Sequence, residues 1–154
     1  MAKSATLQAE KRETARRKLV SYRAQCCILE RMLKITENAE SRLTHVTAMY
    51  EEMTSSGTAR DTMGDQIIML NEQMEHMGGI CSDLGAKLDE VLDLINSLLP
   101  DHPNVATVLS KRYLEPNFEP TLAEIADETG FSESWVKRLH LEGLDLIAEK
   151  IFTE

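Results

Sequence analysis

The stretch Leu122–Leu139, LAEIADETGFSESWVKRL, decides the fold of the C-terminal part of the chain. Its small, apolar and turn-forming residues have the spacing of a helix-turn-helix. Ala126 is small enough for two helices to cross closely, and Gly130 permits an abrupt turn between them. The apolar anchors of the pattern are Leu122, Ile125, Phe131, Val136 and Leu139. We therefore predict two helices joined at Gly130, with one face of the second helix free for a DNA groove.

Capping residues support the same helix boundaries. Thr121 and Glu124 have the spacing of a capping box that opens the first helix. Ser132 is a suitable N-cap for the second helix. Two alternatives stay open: a small helical bundle that produces this pattern by chance, and a helix-turn-helix that contacts only proteins.

The composition favours an all-α fold. The 154 residues include only seven glycines and four prolines, and Leu, Met, Ala, Glu and Lys are abundant. No apolar run approaches the roughly 20 residues that cross a bilayer, and the N-terminal residues lack the apolar core of a signal peptide. We expect a cytoplasmic protein without a membrane partner.

The residue types that usually carry catalysis or metal binding are sparse. The three cysteines form no Cys-x-x-Cys pair, and the four histidines lack metal-ligand spacing. No nucleophile and base, and no pair of carboxylates, stand in a catalytic pattern. We expect reduced thiols, no metal, no cofactor and no enzymatic activity.

Charge is distributed unevenly along the chain, whose net charge is −9. Residues 1–34 hold nine basic and three acidic residues, residues 35–100 three and twelve, and residues 101–154 five and eleven. The predicted DNA reader is therefore acidic, with cations concentrated at Lys111, Arg112, Lys137 and Arg138. Because phosphate contacts dominate DNA affinity, such a module needs a partner, a second copy or another basic segment.

A heptad repeat predicts a long coiled-coil helix in the middle of the chain. Its apolar positions are Met63, Ile67, Leu70, Met74, Met77, Cys81, Leu84, Leu88, Val91, Ile95 and Leu98. Pro100, Asp101 and Pro103 end it. The preceding segment Met53–Asp61, MTSSGTARD, is typical of a turn.

A less regular repeat in the N-terminal part offers this helix a partner. Its positions are Leu19, Tyr22, Cys26, Leu29, Ala39, Leu43, Val46, Tyr50 and Met53, with a phase slip near Met32–Leu33. We predict an antiparallel helical hairpin over residues 1–100, with a turn near residues 54–62 and two arms of about 35 residues each. Dimerisation of hairpins into a four-helix bundle is the open alternative.

The first part of this region is basic, from Lys11 to Arg23. One interpretation is an arm that contacts DNA phosphates. The other is an ordinary solvated helix face or a frayed terminus.

Residues 104–154 form the second predicted domain. An amphipathic helix with the sequence KRYLE precedes the helix-turn-helix, and the last helix continues through Leu144, Ile147 and Ile151. The run VLSKRYLEP…TLAEIADETGFSESWVKRLHLEGLDLI resembles the promoter-reading C-terminal domain of bacterial sigma factors. The whole chain resembles small phage and prophage proteins of low-GC Gram-positive bacteria that carry such a domain, with Ser55-Ser56-Gly57 as the matching link.

The resemblance implies a phage-encoded transcriptional regulator of late genes. Its partners would be double-stranded DNA and, through the hairpin, host RNA polymerase or a second copy in a homodimer. A small terminase-like packaging component and a coiled-coil interaction protein without DNA binding are the alternatives.

The resemblance also implies which residues look into the major groove. They are Glu133, Ser134, Lys137, Arg138 and Leu141. We expect Arg138 to contact a guanine through two hydrogen bonds, worth about 1–3 kcal/mol of discrimination. Lys137, Thr121 and Ser132 are expected at phosphates.

Three further residues of the second helix are ambiguous. Glu133 either accepts from a cytosine amine or is a solvated acid of the first turn. Trp135 either shields the DNA backbone or packs against the helix at residues 105–115. His140 is expected to be a polar surface residue.

Overall fold

The computed structural model describes residues 2–55, 57, 61–116 and 118–153. These residues contain helices and no β-strand, so the all-α prediction is confirmed. The helices are α1 (Ala2–Ser55), α2 (Asp61–Asn96), α3 (Pro103–Leu109), α4 (Leu122–Thr129) and α5 (Glu133–Thr153). A π-helical segment, Ser110–Leu114, continues α3.

Helices α1 and α2 form the predicted antiparallel hairpin. Thr36 Oγ1 lies 4.0 Å from Met77 Sδ, and nearer the turn the ring of Tyr50 lies beside Gly64. At 54 residues, α1 is longer than the predicted arm, because the basic N-terminal segment continues the helix without a break. Of the predicted turn, residues 56 and 58–60 lie outside the described residues. Gly57 has a φ of 75°, a conformation that glycine adopts at little cost.

Contacts divide the chain into two compact units. One, here called the composite unit, combines Met1–Cys27 with Lys87–Glu154; the other, the hairpin unit, is Ile28–Ala86. This division differs from the predicted boundary between residues 1–100 and 104–154. The difference has a physical reason, because the first and last parts of the hairpin share a core with the C-terminal helices.

The composite unit has a continuous apolar core. Its fully buried members include Leu19 from α1, Ile95 from α2, Leu109 from α3, Ile125 from α4 and Ile147 from α5. Helices α3 and α4 have only seven and eight residues, too short to be stable alone. Packing against α5, the π-helical segment and the shared core therefore stabilises them.

The hairpin unit buries far fewer apolar side chains than the composite unit does. Among its described residues, only Ala39 and Leu70 are apolar and buried. The predicted phase slip is visible: Met32 is half-buried while Leu33 is 49% exposed, so the apolar seam passes through Met32 and on to Thr36. Most of the remaining seam is only half-covered by the facing helix.

None of the described helices combines the length and apolar character needed to cross a membrane.

Candidate nucleic-acid interface

The predicted helix-turn-helix is formed by α4, a turn at Gly130 and α5. Thr121 Oγ1 accepts from the backbone N–H of Glu124 at 3.2 Å, as the capping box predicts. Gly130 has a φ of 79° and its N–H donates to Ala126 O at 2.9 Å, ending α4 in the left-handed conformation. Ser132 Oγ accepts from the N–H of Trp135 at 3.2 Å, so α5 also begins where the sequence predicts.

The anchor residues of the pattern pack against the core, although Leu122 and Phe131 are only half-buried. Ile125 and Val136 are fully buried, and Ala126 and Leu139 are 5% and 4% exposed. The side of α5 that faces away from them is open to solvent. All seven predicted DNA-contacting residues are exposed: Thr121, Ser132, Glu133, Ser134, Lys137, Arg138 and Leu141.

Arg138 and Trp135 lie beside each other on this face. The guanidinium carbon of Arg138 lies 6.0 Å from the centre of the Trp135 ring, within the range of a cation–π contact. Trp135 is 40% exposed and therefore remains accessible from solvent. The contact restricts the Arg138 side chain, and a restricted guanidinium loses less entropy when it binds.

The second cation of the face is held more loosely. Lys137 Nζ lies 3.3 Å from Glu133 Oε1, one turn earlier, and both side chains are more than half exposed. Such a pair contributes only about 0.3–0.5 kcal/mol. A phosphate group can therefore replace Glu133 as the partner of Lys137 at little cost.

The other two cations singled out from the sequence are engaged inside the composite unit. Lys111 Nζ lies 2.9 Å from Glu128 Oε1. Arg112 donates to Pro120 O and lies 3.4 Å from Glu119. These contacts hold the π-helical segment against α4 and the residues that precede it. Lys111 and Arg112 therefore stabilise the fold of the composite unit, and we do not expect them to contact DNA.

His140 was predicted to be a polar surface residue, and this prediction is wrong. Its ring stacks on Tyr113 with the ring centres 5.7 Å apart, and Nε2 lies 2.6 Å from Tyr113 Oη in a hydrogen bond. Burial, with smaller contributions from Arg112 and Arg16, lowers the pKa of His140 to about 4. The ring is therefore neutral near pH 7. Its contact with Tyr113 holds α5 against the π-helical segment.

The basic N-terminal segment makes contacts that the sequence did not reveal. Arg12 donates to both oxygens of Asp145 on α5, at 2.5 and 2.9 Å. Arg23 donates to the backbone oxygens of Glu115 and Arg112, at 2.8 and 3.0 Å. Neither residue is an ordinary solvated side chain. The only hint in the sequence was the opposite charge of residues 1–34 and 101–154.

Other cations of that segment remain accessible. Arg16 and Arg17 pair with Glu13 on the same helix, and their side chains are 46% and 77% exposed. Hydrogen bonding to Arg16 holds the pKa of Glu13 at about 2. The interpretation of this segment as a phosphate-contacting arm stays a prediction for these two arginines.

Within the described residues no group of His, Cys, Asp and Glu side chains is arranged to hold a metal ion. Cys26, Cys27 and Cys81 are free thiols.

Comparisons with protein-family models, with curated proteins and with solved structures give no match for this chain. The resemblance to sigma-like phage proteins therefore stays a prediction.

Proposed function

We propose that this chain is a DNA-binding transcription regulator that reads double-stranded DNA with the exposed face of α5. One observation carries the proposal: the buried anchors fix α5 from one side, while all seven predicted contact residues are exposed. A helix held in this way can enter a major groove without unfolding its support. The family resemblance adds a phage origin and the control of late genes to the proposal.

The residues of the face divide into two roles. Arg138 is the base-reading residue, because a guanidinium already restricted over Trp135 can donate twice to a guanine. Lys137, with the capping residues Thr121 and Ser132, binds phosphate and sets the position of the helix. The acidic surroundings make binding by one module weak, so the hairpin supplies a second contact, to RNA polymerase or to a second copy.

The proposal is tested by binding the full chain to a labelled pool of random-sequence double-stranded DNA at low salt and sequencing the bound fraction. Arg138→Ala should weaken binding to the selected sequence by roughly tenfold or more and relax the preference at a guanine. Lys137→Ala should weaken binding to all sequences and reduce its salt dependence.

Lys34→Ala is the matched control, because Lys34 is an exposed cation of the hairpin unit and its loss changes the net charge equally. It should leave the selected sequence and the affinity unchanged. If the Arg138→Ala, Lys137→Ala double variant binds as the wild type does, α5 is not the reader.

A protein-binding role for the same face is the second candidate. Trp135 and Leu141 are 40% and 47% exposed, and tryptophan and arginine are the residue types that dominate protein interfaces. This candidate predicts no salt-dependent DNA binding by the wild type. Measuring DNA binding at several salt concentrations therefore separates the protein-binding role from the DNA-binding role.

A further inference from the structure

The beginning of α1 packs along the helix-turn-helix inside the composite unit. Ala15 and Leu19 are 0% exposed and belong to the same apolar core as the buried residues of α5. Arg12 contacts Asp145 on α5, and Arg23 donates to two backbone oxygens of the chain between α3 and α4. Contacts at both ends of this stretch therefore fix the orientation of α1 against the C-terminal helices.

Arg16 lies between these two polar contacts. It follows Arg12 by one helical turn and precedes Arg23 by two, so the three arginines share one side of α1. Burial is the main reason why the pKa of His140 is lowered, and the charges of Arg112 and Arg16 add to the effect. Arg16 is thus near the side of α5 that carries His140.

This position is at the edge of the exposed face of α5. His140 follows Lys137 by three residues, and residues with this spacing are neighbours on the surface of a helix. Lys137, the proposed phosphate-binding residue of α5, and Arg16 of α1 therefore lie along one flank of the module. A DNA strand that follows this flank would pass both cations.

The beginning of α1 also brings positive charge to an acidic module. Residues 1–27 hold seven basic and two acidic residues. Two acids outside α1 contact this side of the helix, and both are paired with arginines. Asp145 pairs with Arg12, and Glu119 pairs with Arg112 and Arg23. The potential along this side of α1 therefore favours an anion more than the rest of the module does.

Arg16 is accessible and can exchange its partner. Its side chain is 46% exposed, and Nε and Nη2 donate to the two carboxylate oxygens of Glu13 at 2.9 and 2.6 Å. Glu13 also accepts from Arg17 at 3.3 Å. If Arg16 turns to a phosphate, Glu13 keeps Arg17 as its partner. The guanidinium fits two oxygens of a phosphate as it fits those of a carboxylate.

We propose that Arg16 binds a phosphate of the DNA strand that passes Lys137, so that the DNA-binding surface combines α5 with the beginning of α1. The inference rests on the proposed function and adds to it a contact from the other end of the chain. Glu13 competes with the phosphate for Arg16 and thereby weakens binding. Arg17, whose side chain is 77% exposed and pairs with Glu13, takes no part.

The test is the affinity of full-chain variants for the selected DNA, measured over a range of salt concentrations. Arg16→Ala should weaken binding by about fivefold to tenfold at low salt, lower the slope of log affinity against log salt by about 0.9, and keep the sequence preference. Arg17→Ala is the matched control, because it removes the same charge one residue later and also ends a contact with Glu13. It should change the affinity by less than about twofold.

Glu13→Gln should act in the opposite direction. It releases Arg16 and removes the negative charge beside it, so binding should become tighter by about threefold or more, and Arg16→Ala should abolish this gain. Glu10→Gln is the control, because it changes the net charge equally at an exposed position of the same helix. It should leave the affinity unchanged. A gain of affinity cannot arise from a loss of structure.

Equal effects of Arg16→Ala and Arg17→Ala, or of Glu13→Gln and Glu10→Gln, overturn the inference, because net charge alone would then explain them. Wild-type affinity of Arg16→Ala beside weak binding of Arg138→Ala would refute the Arg16 contact and leave the proposed function intact. Weak binding of Arg16→Ala beside wild-type affinity of the Arg138→Ala, Lys137→Ala variant would support the Arg16 contact and refute α5 as the reader. A wild type that binds no DNA overturns both.

Discussion

His140 and Tyr113 give the molecule a pH-dependent contact at the scale of single residues. The neutral imidazole is hydrogen-bonded to Tyr113, and burial lowers the pKa of His140 from 6.5 to about 4. Above pH 6.5 the ring is neutral in both the folded and the unfolded chain. As the pH falls from 6.5 towards 4, the unfolded chain binds a proton that the folded chain does not, so the free energy of unfolding falls.

Between pH 7 and pH 5, we expect His140 to lower the free energy of unfolding of the wild type by at most about 2 kcal/mol, as measured by urea unfolding. His140→Gln keeps a hydrogen-bonding side chain but cannot titrate, so its loss over the same interval should be smaller by that amount. Glu13 and Asp145, whose pKa values are lowered, contribute mainly below this interval. Equal pH dependence in the wild type and His140→Gln would show that His140 is not responsible.

The prediction that His140 lies on the surface was wrong because its contact joins residues that are far apart in the sequence. Thr121, Gly130 and Ser132 make contacts within three or four residues of themselves, so spacing alone predicted them. The partner of His140 lies 27 residues away. Nothing in the sequence around His140 indicates that Tyr113 will meet it, since that contact depends on how the π-helical segment and α5 pack.

At the scale of helices, the glycines predict opposite effects of the same substitution. Gly78 and Gly79 lie within α2, and a Cβ added at either meets no atom within 4 Å. Replacement by alanine should stabilise the protein by about 1 kcal/mol each. At Gly143 in α5, an added Cβ would lie 2.8–3.0 Å from three carbons of Leu109.

Leu109 is fully buried and cannot move aside freely, so Gly143→Ala should destabilise the protein by about 1–3 kcal/mol. Chemical denaturation of the three variants measures both effects. Stabilisation by Gly143→Ala would mean that α3 and α5 approach less closely than the structure shows.

The positions of the helices along the chain were largely predictable from the sequence, whereas the packing of the helix ends against one another was not. The heptads from Met63 to Leu98 gave the course of α2 because periodicity reports which face is apolar. The docking of residues 1–27 beside the C-terminal helices has no such signal. It depends on pairs such as Arg12 with Asp145, 133 residues apart.

At the scale of the whole chain, this pair joins the basic beginning of the sequence to its acidic end. Arg12 contacts both oxygens of Asp145, and the side chains are 39% and 32% exposed. Hydrogen bonding to Arg12 lowers the pKa of Asp145. Because both charges are partly solvated, we expect a coupling of about 1 kcal/mol rather than the value of a buried pair.

A charge exchange measures this coupling. Arg12→Asp and Asp145→Arg should each destabilise the protein by placing like charges together. The double variant should be more stable than the sum of the single effects predicts, and this recovery should exceed the coupling of about 1 kcal/mol of the native pair, because the double variant also removes the two like-charge contacts. Raising the salt concentration should reduce that recovery, since screening weakens partly exposed pairs. Arg17→Asp is the control, because Arg17 is 77% exposed and pairs only within α1. The destabilisation by Arg17→Asp should simply add to that by Asp145→Arg. If the Arg17→Asp, Asp145→Arg double variant regained as much stability as the Arg12→Asp, Asp145→Arg variant, net charge and not the contact between Arg12 and Asp145 would explain the result.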